Sequence, residues 1–413
     1  MIISPQTGLH ENVVVLDFDN EYANLIINHN LSYETVNLNG KIEDEDQELC
    51  RGLLPTVVER FLNRRLYLET LSKCCPEETR EYTWCQQRLD SLKNILVCLY
   101  GTTGSIWNRY GNVRVFEEIN RLSREILIKT KDVVQKLGYE LIYADTDSVF
   151  IKKPKGITSS TDQYEKVVSI LRRETGLPIS IEHSFKFLVL LPLEASEKIE
   201  ALKQYYGITH EGRLIVRGLE IRRHDTPKFI KEFQTELLSS LFECKDAKEI
   251  MDKGYENALL LVTKAIDKIM LGGEENITQE DLVISKLLGQ NIIKYRSLFP
   301  HVSAAIQLSV KDKLPSKGDI IKYIYTDSHN KNPLCRVASI DSISEKNEKL
   351  EYDKEKYREM ILDAAETVLG YFGFDRTLYG NKKNMSKRKW WWMEELRQER
   401  ERDIKTEIAE EHN

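Results

Sequence analysis

Three aspartates in this chain sit where clustered acids do chemistry. Asp17 closes the apolar run Val13-Val14-Val15-Leu16, and Asp145 and Asp147 flank Thr146 in the segment Tyr143-Ala-Asp-Thr-Asp-Ser148, 128 positions further on. Unpaired carboxylates drawn into one place repel, and a hard divalent cation is the usual remedy. Mg²⁺ takes one or two carboxylates together with substrate phosphates, so these acids suit a phosphate-handling site. Asp-Thr-Asp-Ser equally suits a plain turn, because its short polar side chains hydrogen-bond to nearby backbone. The hairpin alone leaves both readings open.

The elements that must position these acids can be read from pattern. Val13 to Leu16 is continuous and β-branched, which predicts a strand buried on both faces; a short helix follows over Tyr22 to Ile27. Tyr139 to Tyr143 and Val149 to Lys152 read as two strands joined by the acidic tip. Gly52-Leu-Leu-Pro55 opens a helix carrying Val58, Leu62 and Leu66 at helical spacing, and a second helical stretch covers about Thr83 to Leu99. The two run antiparallel if the short cysteine-containing segment between them turns the chain. A long helix over Glu117 to Leu137 ends at Gly138. Arg213 to Arg223 reads as a short β region, Lys228 to about Leu271 as mostly helical, and the remainder to Gly380 as mixed. Glu43-Asp-Glu-Asp-Gln-Glu48 reads as a solvated connection.

Composition narrows the class. With 413 residues, 41% apolar and 31% charged, the chain is neither disordered nor fibrous and has length for several domains. No apolar run approaches the roughly 18 residues of a membrane span, and the first residues lack the charged and apolar regions of a secretory signal. Seven cysteines without a Cys-x-x-Cys motif fit reduced thiols rather than a disulfide frame or zinc site, and Cys74-Cys75 reads as helix filler. The net charge of −6 argues mildly against nucleic acid, but binding depends on local patches.

Short matches to other chemistries are weak. Val14-Val-Leu-Asp17-Phe-Asp19 resembles the opening of haloacid-dehalogenase-like phosphatases, yet Glu21 stands where that family has Thr or Val. Asp145-Thr-Asp147 matches the Asp-x-Asp of metal-dependent glycosyltransferases, with no nucleotide-sugar context beside it. A stronger resemblance is carried by three segments in order. Asp17-Phe-Asp-Asn-Glu-Tyr22-Ala-Asn-Leu-Ile26 resembles motif A of B-family DNA polymerases, Asp-Phe-x-Ser-Leu-Tyr-Pro-Ser-Ile-Ile. Lys93-Asn-Ile-Leu-Val97-Cys-Leu-Tyr100-Gly101 resembles motif B, and Tyr143-Ala-Asp145-Thr-Asp147-Ser148 matches motif C, Tyr-x-Asp-Thr-Asp-Ser, unchanged. Gly52-Leu-Leu-Pro55 with Arg65 resembles the first fingers helix. Lys203-Gln-Tyr205, Arg217-Gly218-Leu-Glu220, Asp225, Pro300-His301-Val302 and Gly318-Asp-Ile-Ile resemble the passage into the thumb. The likeness covers about residues 8 to 380.

The resemblance implies an α/β (α+β) right-hand polymerase fold, with an antiparallel palm sheet, helical fingers and a mostly helical thumb. The palm would take residues 1–48 and 104–200, the fingers 49–103, the thumb 201–380, and a charged tail helix 381–413. Asp17 and Asp147, with the Phe18 carbonyl, would hold two Mg²⁺ ions, for which Mn²⁺ substitutes; Asp145 is the accessory acid. Arg65 and Lys93 would grip the triphosphate, Tyr22 would lie under the sugar, and Tyr100-Gly101 would line the nascent base pair. Lys203, Tyr205, Arg217, Gly218 and Asp225 would follow the primer-template. The implied partners are primer-template DNA, deoxynucleoside triphosphates and a second polypeptide supplying the amino-terminal and exonuclease parts. No membrane is implied, and the implied setting is cytoplasmic, at the nucleoid.

Departures from the family pattern carry their own expectations. Val97 replaces the motif B Asn, and Glu69 stands where a second fingers Lys is common. A carboxylate there repels a triphosphate unless it points away. Weak nucleotide binding and slow, poorly processive synthesis by a divergent, archaeal-type enzyme, in repair or lesion bypass, are therefore expected. The alternative is a catalytically weak or silent DNA-binding scaffold of a split polymerase. The cluster Lys382, Lys383, Lys387, Arg388 and Lys389 reads equally as a phosphate contact or a solvated tail. Trp390-Trp-Trp392 is too wide an arc for one helix face to bury.

Overall fold

A computed structural model describes residues 2–36, 51–153, 161–193, 196–272, 277–309, 315–340 and 351–379. The acidic run 43–48 and the tail 381–413, with its basic cluster and three tryptophans, lie outside the described residues. The chain divides into two compact units, the first holding residues 1–190, 200–203 and 207–213, and the second the remainder.

In the first unit, β1 (Ile2–Ile3), β2 (Gly8–Phe18), α1 (Glu21–Asn28), α2 (Leu53–Lys73), α3 (Arg80–Thr103), α4 (Val113–Lys136), β3 (Glu140–Asp145), β4 (Ser148–Lys152), α5 (Thr161–Thr175), most of β5 (Ile179–Leu193) and part of β6 (Ser196–Thr209) follow in order. The strands lie in the order β1-β3-β4-β2-β5-β6, and β2 pairs antiparallel with both β4 and β5. This is the antiparallel sheet that the resemblance implies. β2 is central, and Val13, Val14, Val15 and Leu16 are all buried, as a strand covered on both faces requires. Val14, Leu16 and Phe18 join Val149 and Ile151 of β4 in a core built with Leu25, Ile26, Ile119, Leu122 and Val168 of the helices. Burying one such aliphatic side chain contributes about 1.5–3 kcal/mol.

α4 starts four residues earlier than the apolar pattern predicts, because the Asn112 side chain accepts the Arg114 amide and caps the first turn. Gly138 then takes a left-handed φ of 80°, which ends the helix and returns the chain to β3. α2 and α3 form a helical hairpin sealed by Leu68, Cys85, Leu89 and Leu92, with Phe61 against them.

The second unit contains β7 (Leu214–Arg217), α6 (Lys228–Phe242), α7 (Tyr255–Leu271), β8 (Ile284–Leu287), α8 (Pro300–Ser309), β9 (Ile320–Tyr325), β10 (Val337–Ser339) and α9 (Lys354–Leu369). The β region expected over Arg213 to Arg223 is only four residues long. Gly218 adopts a φ of 75° and the chain turns through a 3₁₀ segment, Glu220–Arg222. Gln234 on α6 holds that turn, accepting the Ile221 amide and donating to Glu220. β10, β9 and β8 form a separate antiparallel sheet.

Candidate active site

The acids meet because of strand register. Asp17 stands opposite Ser148 in the β2–β4 pair, and Ser148 stands opposite Asp145 in the β3–β4 pair. Directly opposed residues share a sheet face, so Asp17 and Asp145 project from the face away from the helices. Thr146 and Asp147 form the tip between them. The Phe18 amide donates to the Asp147 carbonyl at 3.0 Å, closing the tip onto the end of β2. Thr146 has a φ of 58°, unusual for a β-branched residue. Strain of this kind costs about 1–3 kcal/mol and clusters at functional sites.

Electrostatics agree with the geometry. Asp17 is half-buried, and its carboxyl is pushed up to about 7, first by burial and then by the neighbouring Asp147 and Glu182, against the pull of Lys93. Burial, with Asp145 and Glu182 nearby, raises Asp147 in the same direction. Burial and neighbouring acids thus outweigh the positive charge of Lys93 and Lys203 at this pair, which fits a hard cation. Among the described residues no three His, Cys, Asp or Glu side chains form a metal cage. An ion held by Asp17 and Asp147 would therefore complete its shell with backbone, water and substrate oxygens, as Mg²⁺ does.

Asp145 is engaged differently. Its carboxylate lies 3.3 Å from Lys203 Nζ, while the Lys203 amide donates to the Tyr143 hydroxyl at 3.2 Å. Asp19 turns to β5, where its carboxylate accepts from Ser180 Oγ at 3.0 Å. Asn20 supplies the left-handed residue, φ 52°, that swings the chain from β2 into α1.

Tyr22, on α1, stacks on Tyr100 of α3 with ring centroids 4.0 Å apart and planes 5° from parallel. Tyr100 also stacks on Phe116 and donates to Asn120 at 2.8 Å. Three elements thus fix the Tyr22 ring. Gly101 follows on the exposed last turn of α3, and a Cβ added there would meet open space, so packing within the chain does not demand glycine. Lys93 and Val97 lie four residues apart on α3 and both are exposed. Arg65 is bound to Glu69 at 2.9 Å along α2. The expected repulsive carboxylate is therefore neutralised, at the cost of occupying a candidate phosphate ligand.

Asp17, Phe18, Tyr22, Arg65, Lys93, Tyr100, Gly101, Asp145, Asp147 and Lys203 all belong to the first unit. Tyr205, Arg217, Gly218 and Asp225 belong to the second. Asp225 there pairs with Arg223 and Lys286, each at 3.1 Å, which holds its carboxyl down at about 2.

Two acids escaped sequence reasoning as members of this neighbourhood. Glu182 lies on β5, one residue beyond the partner of Leu16, and its charge reaches both Asp17 and Asp147. Glu21 is only 3% exposed, with Oε2 lacking a hydrogen-bond partner. Burial pushes its carboxyl up to about 8, opposed by a hydrogen bond with Ser123. The only signal was an acid placed where the family pattern has Leu. A folded value above the unfolded one means stability present below about pH 4.5 and lost as pH rises through about 8. Metal-free Glu21→Gln should melt like the parent chain at pH 5 and be more stable at pH 8, by a few kcal/mol in order of magnitude. Equal shifts at both pH values would contradict this assignment.

The sequence matches the pattern of DNA polymerase family B over residues 1–371. It is 29% identical over 318 residues to a DNA polymerase of Archaeoglobus fulgidus, a match covering 74% of this chain and 37% of that protein. It is 25% identical over 386 residues to DNA polymerase 2 of Aeropyrum pernix, covering 90% and 44% respectively. The chain thus spans less than half the length of these relatives. The structure of the family B DNA polymerase from Pyrobaculum calidifontis superposes with a TM-score of 0.62 at 23% identity, covering 91% of this chain and 47% of that one. Among the described residues no helix is long and apolar enough to cross a membrane.

Proposed function

The chain belongs to DNA polymerase family B, and from that premise we propose that it extends a DNA primer by adding deoxynucleotides to the 3′ end. The observation that carries this reading is the meeting of Asp17 and Asp147 at the joined ends of β2 and β4, two half-buried carboxylates whose proton affinity burial raises, that of Asp17 further through the charge of Asp147.

Two Mg²⁺ ions, or Mn²⁺ in their place, would supply activation of the primer hydroxyl and neutralisation of the departing pyrophosphate. Asp17 and Asp147, with the Phe18 carbonyl, are the groups that would hold them. Asp145 orients Lys203 toward the primer-template. Lys93 faces the triphosphate as a point charge, and Arg65 joins it when released by Glu69. Tyr22, clamped by Tyr100, sets the floor beneath the sugar, while the open surface at Gly101 lets the nascent base pair approach. Tyr205, Arg217, Gly218 and Asp225 follow the duplex backbone, contacts that position without reading sequence. In this reading residues 1–48 and 104–200 are palm, 49–103 fingers and 201–380 thumb.

Val97 and the Arg65–Glu69 pair leave the triphosphate with fewer grips, which supports slow synthesis and a role in repair or lesion bypass. Glu69→Gln should free Arg65 and lower KM for the incoming nucleotide several-fold, the scale of one exposed charge pair. An unchanged KM would show that Arg65 does not reach the phosphates. The function itself is tested by extension of a labelled primer-template with Mg²⁺ and all four deoxynucleotides. Metal-dependent growth supports it, and DNA binding without growth supports a silent scaffold.

A further inference from the structure

The α2–α3 hairpin carries a second feature that nucleotide addition does not use. Arg60 and Tyr67 each precede a seam residue of α2, Phe61 and Leu68, and Trp84 and Arg88 each precede a seam residue of α3, Cys85 and Leu89. One residue rotates a helix by about 100°, and in antiparallel helices the same rotation on both brings these positions to one side of the hairpin. Arg64, four residues after Arg60, falls on that side too. Lys93 and Glu69 follow seam residues and lie on the opposite side, so this face is distinct from the triphosphate side.

The face is exposed, aromatic and positive. Tyr67 is 56% and Trp84 41% exposed. The Arg88 guanidinium lies 3.7 Å from the Trp84 ring centre, and that of Arg64 lies 5.1 Å from the ring of Tyr67. Among the described residues none of the three arginines has a carboxylate partner, whereas Arg51 and Arg65 on the same segment do. Free guanidiniums laid on exposed rings, spread over about 10 Å of helix, match a ligand with phosphates at short spacing and flat, stackable bases. Aromatic side chains and arginines combined in this way bind single strands without regard to sequence.

We propose that this face of the hairpin binds single-stranded nucleic acid without regard to sequence, a reading that stands independently of primer extension.

Fluorescence anisotropy of labelled oligothymidylate, with the full chain and no nucleotides, tests it. The Arg60→Gln/Arg64→Gln/Arg88→Gln variant should bind at least tenfold more weakly at low salt. Its slope of log K against log salt should fall by about 2, the sum of three single-strand phosphate contacts. Trp84→Ala should lose about tenfold through stacking, and binding of blunt duplex should not change. All four side chains are exposed, so melting curves should match the parent. Unchanged affinity and slope in a variant that melts normally would overturn the proposal. So would polyglutamate or inorganic polyphosphate binding this face as well as the oligonucleotide, with Trp84→Ala without effect. Primer extension by the unaltered chain is read separately, so failure of catalysis and failure of this surface give different results.

Discussion

Asp147→Asn should abolish primer extension while leaving the chain folded and able to bind DNA. The substitution keeps the shape of the side chain, and the Phe18 amide bonds to the Asp147 carbonyl, not to its carboxylate, so the hairpin tip should keep its form. What is lost is one of two carboxylates available to a metal. Charge stabilisation by bound metal is worth several kcal/mol, which at 1.36 kcal/mol per decade predicts a fall of at least about 10³-fold in rate. Asp17→Asn should fall as far. Asp145→Asn should not, because that carboxylate pairs with a Lys203 side chain that is 63% exposed, an interaction worth at most about 1 kcal/mol. A ranking in which Asp145 mattered more than Asp147 would show that the roles within the triad are misassigned.

Tyr22→Ala should cost the site its discrimination between deoxynucleotides and ribonucleotides. The ring is held within 5° of parallel to Tyr100, which Phe116 and Asn120 hold in turn. A ring stacked on a tyrosine that two further residues hold in place resists an added 2′-hydroxyl, whereas a methyl group leaves space for one. Selectivity set by shape at one substituent is worth up to about 10²-fold, so incorporation of ribonucleotides by Tyr22→Ala should rise on that scale, and Tyr22→Phe should remain selective. Tyr100→Ala should give a partial loss, since Tyr22 then keeps its ring but loses its clamp. Equal selectivity in the Ala and Phe variants would remove Tyr22 from this role.

Much of this site was legible in the sequence because its parts depend on local rules. The continuous β-branched run Val13 to Leu16 reads as a strand buried on both faces, and Asp145-Thr-Asp-Ser148 between two short apolar segments reads as a tip with acids at it. Their meeting is a matter of register, which the motif order supplied by resemblance and the β2–β4 pairing then showed. Other features were hidden because they depend on distant partners. Glu69 read as repulsive, although its i,i+4 spacing to Arg65 is that of a helix ion pair. The tight pairing of Asp225 with Lys286 joins positions 61 residues apart, so nothing local announces it. Glu21 follows Asn20 on the first turn of α1, and its burial and its hydrogen bond with Ser123 of α4 come from a partner about a hundred positions away. The strands β8 and β9 are short and place the apolar Leu287 and Ile320 at exposed positions, so their sequences lack the polar–apolar alternation that marks a strand.

Asp17 and Asp147 are expected to share divalent metal ions. Anomalous scattering from crystals of the chain grown with primer-template, an incoming nucleotide and Mn²⁺ tests this without reliance on rates. Two manganese peaks should appear, each within about 2.0–2.6 Å of oxygens from both aspartates or from one of them and the triphosphate. Manganese bound elsewhere, or carboxylates of residues 17 and 147 turned away from a triphosphate that is otherwise in place, would contradict it.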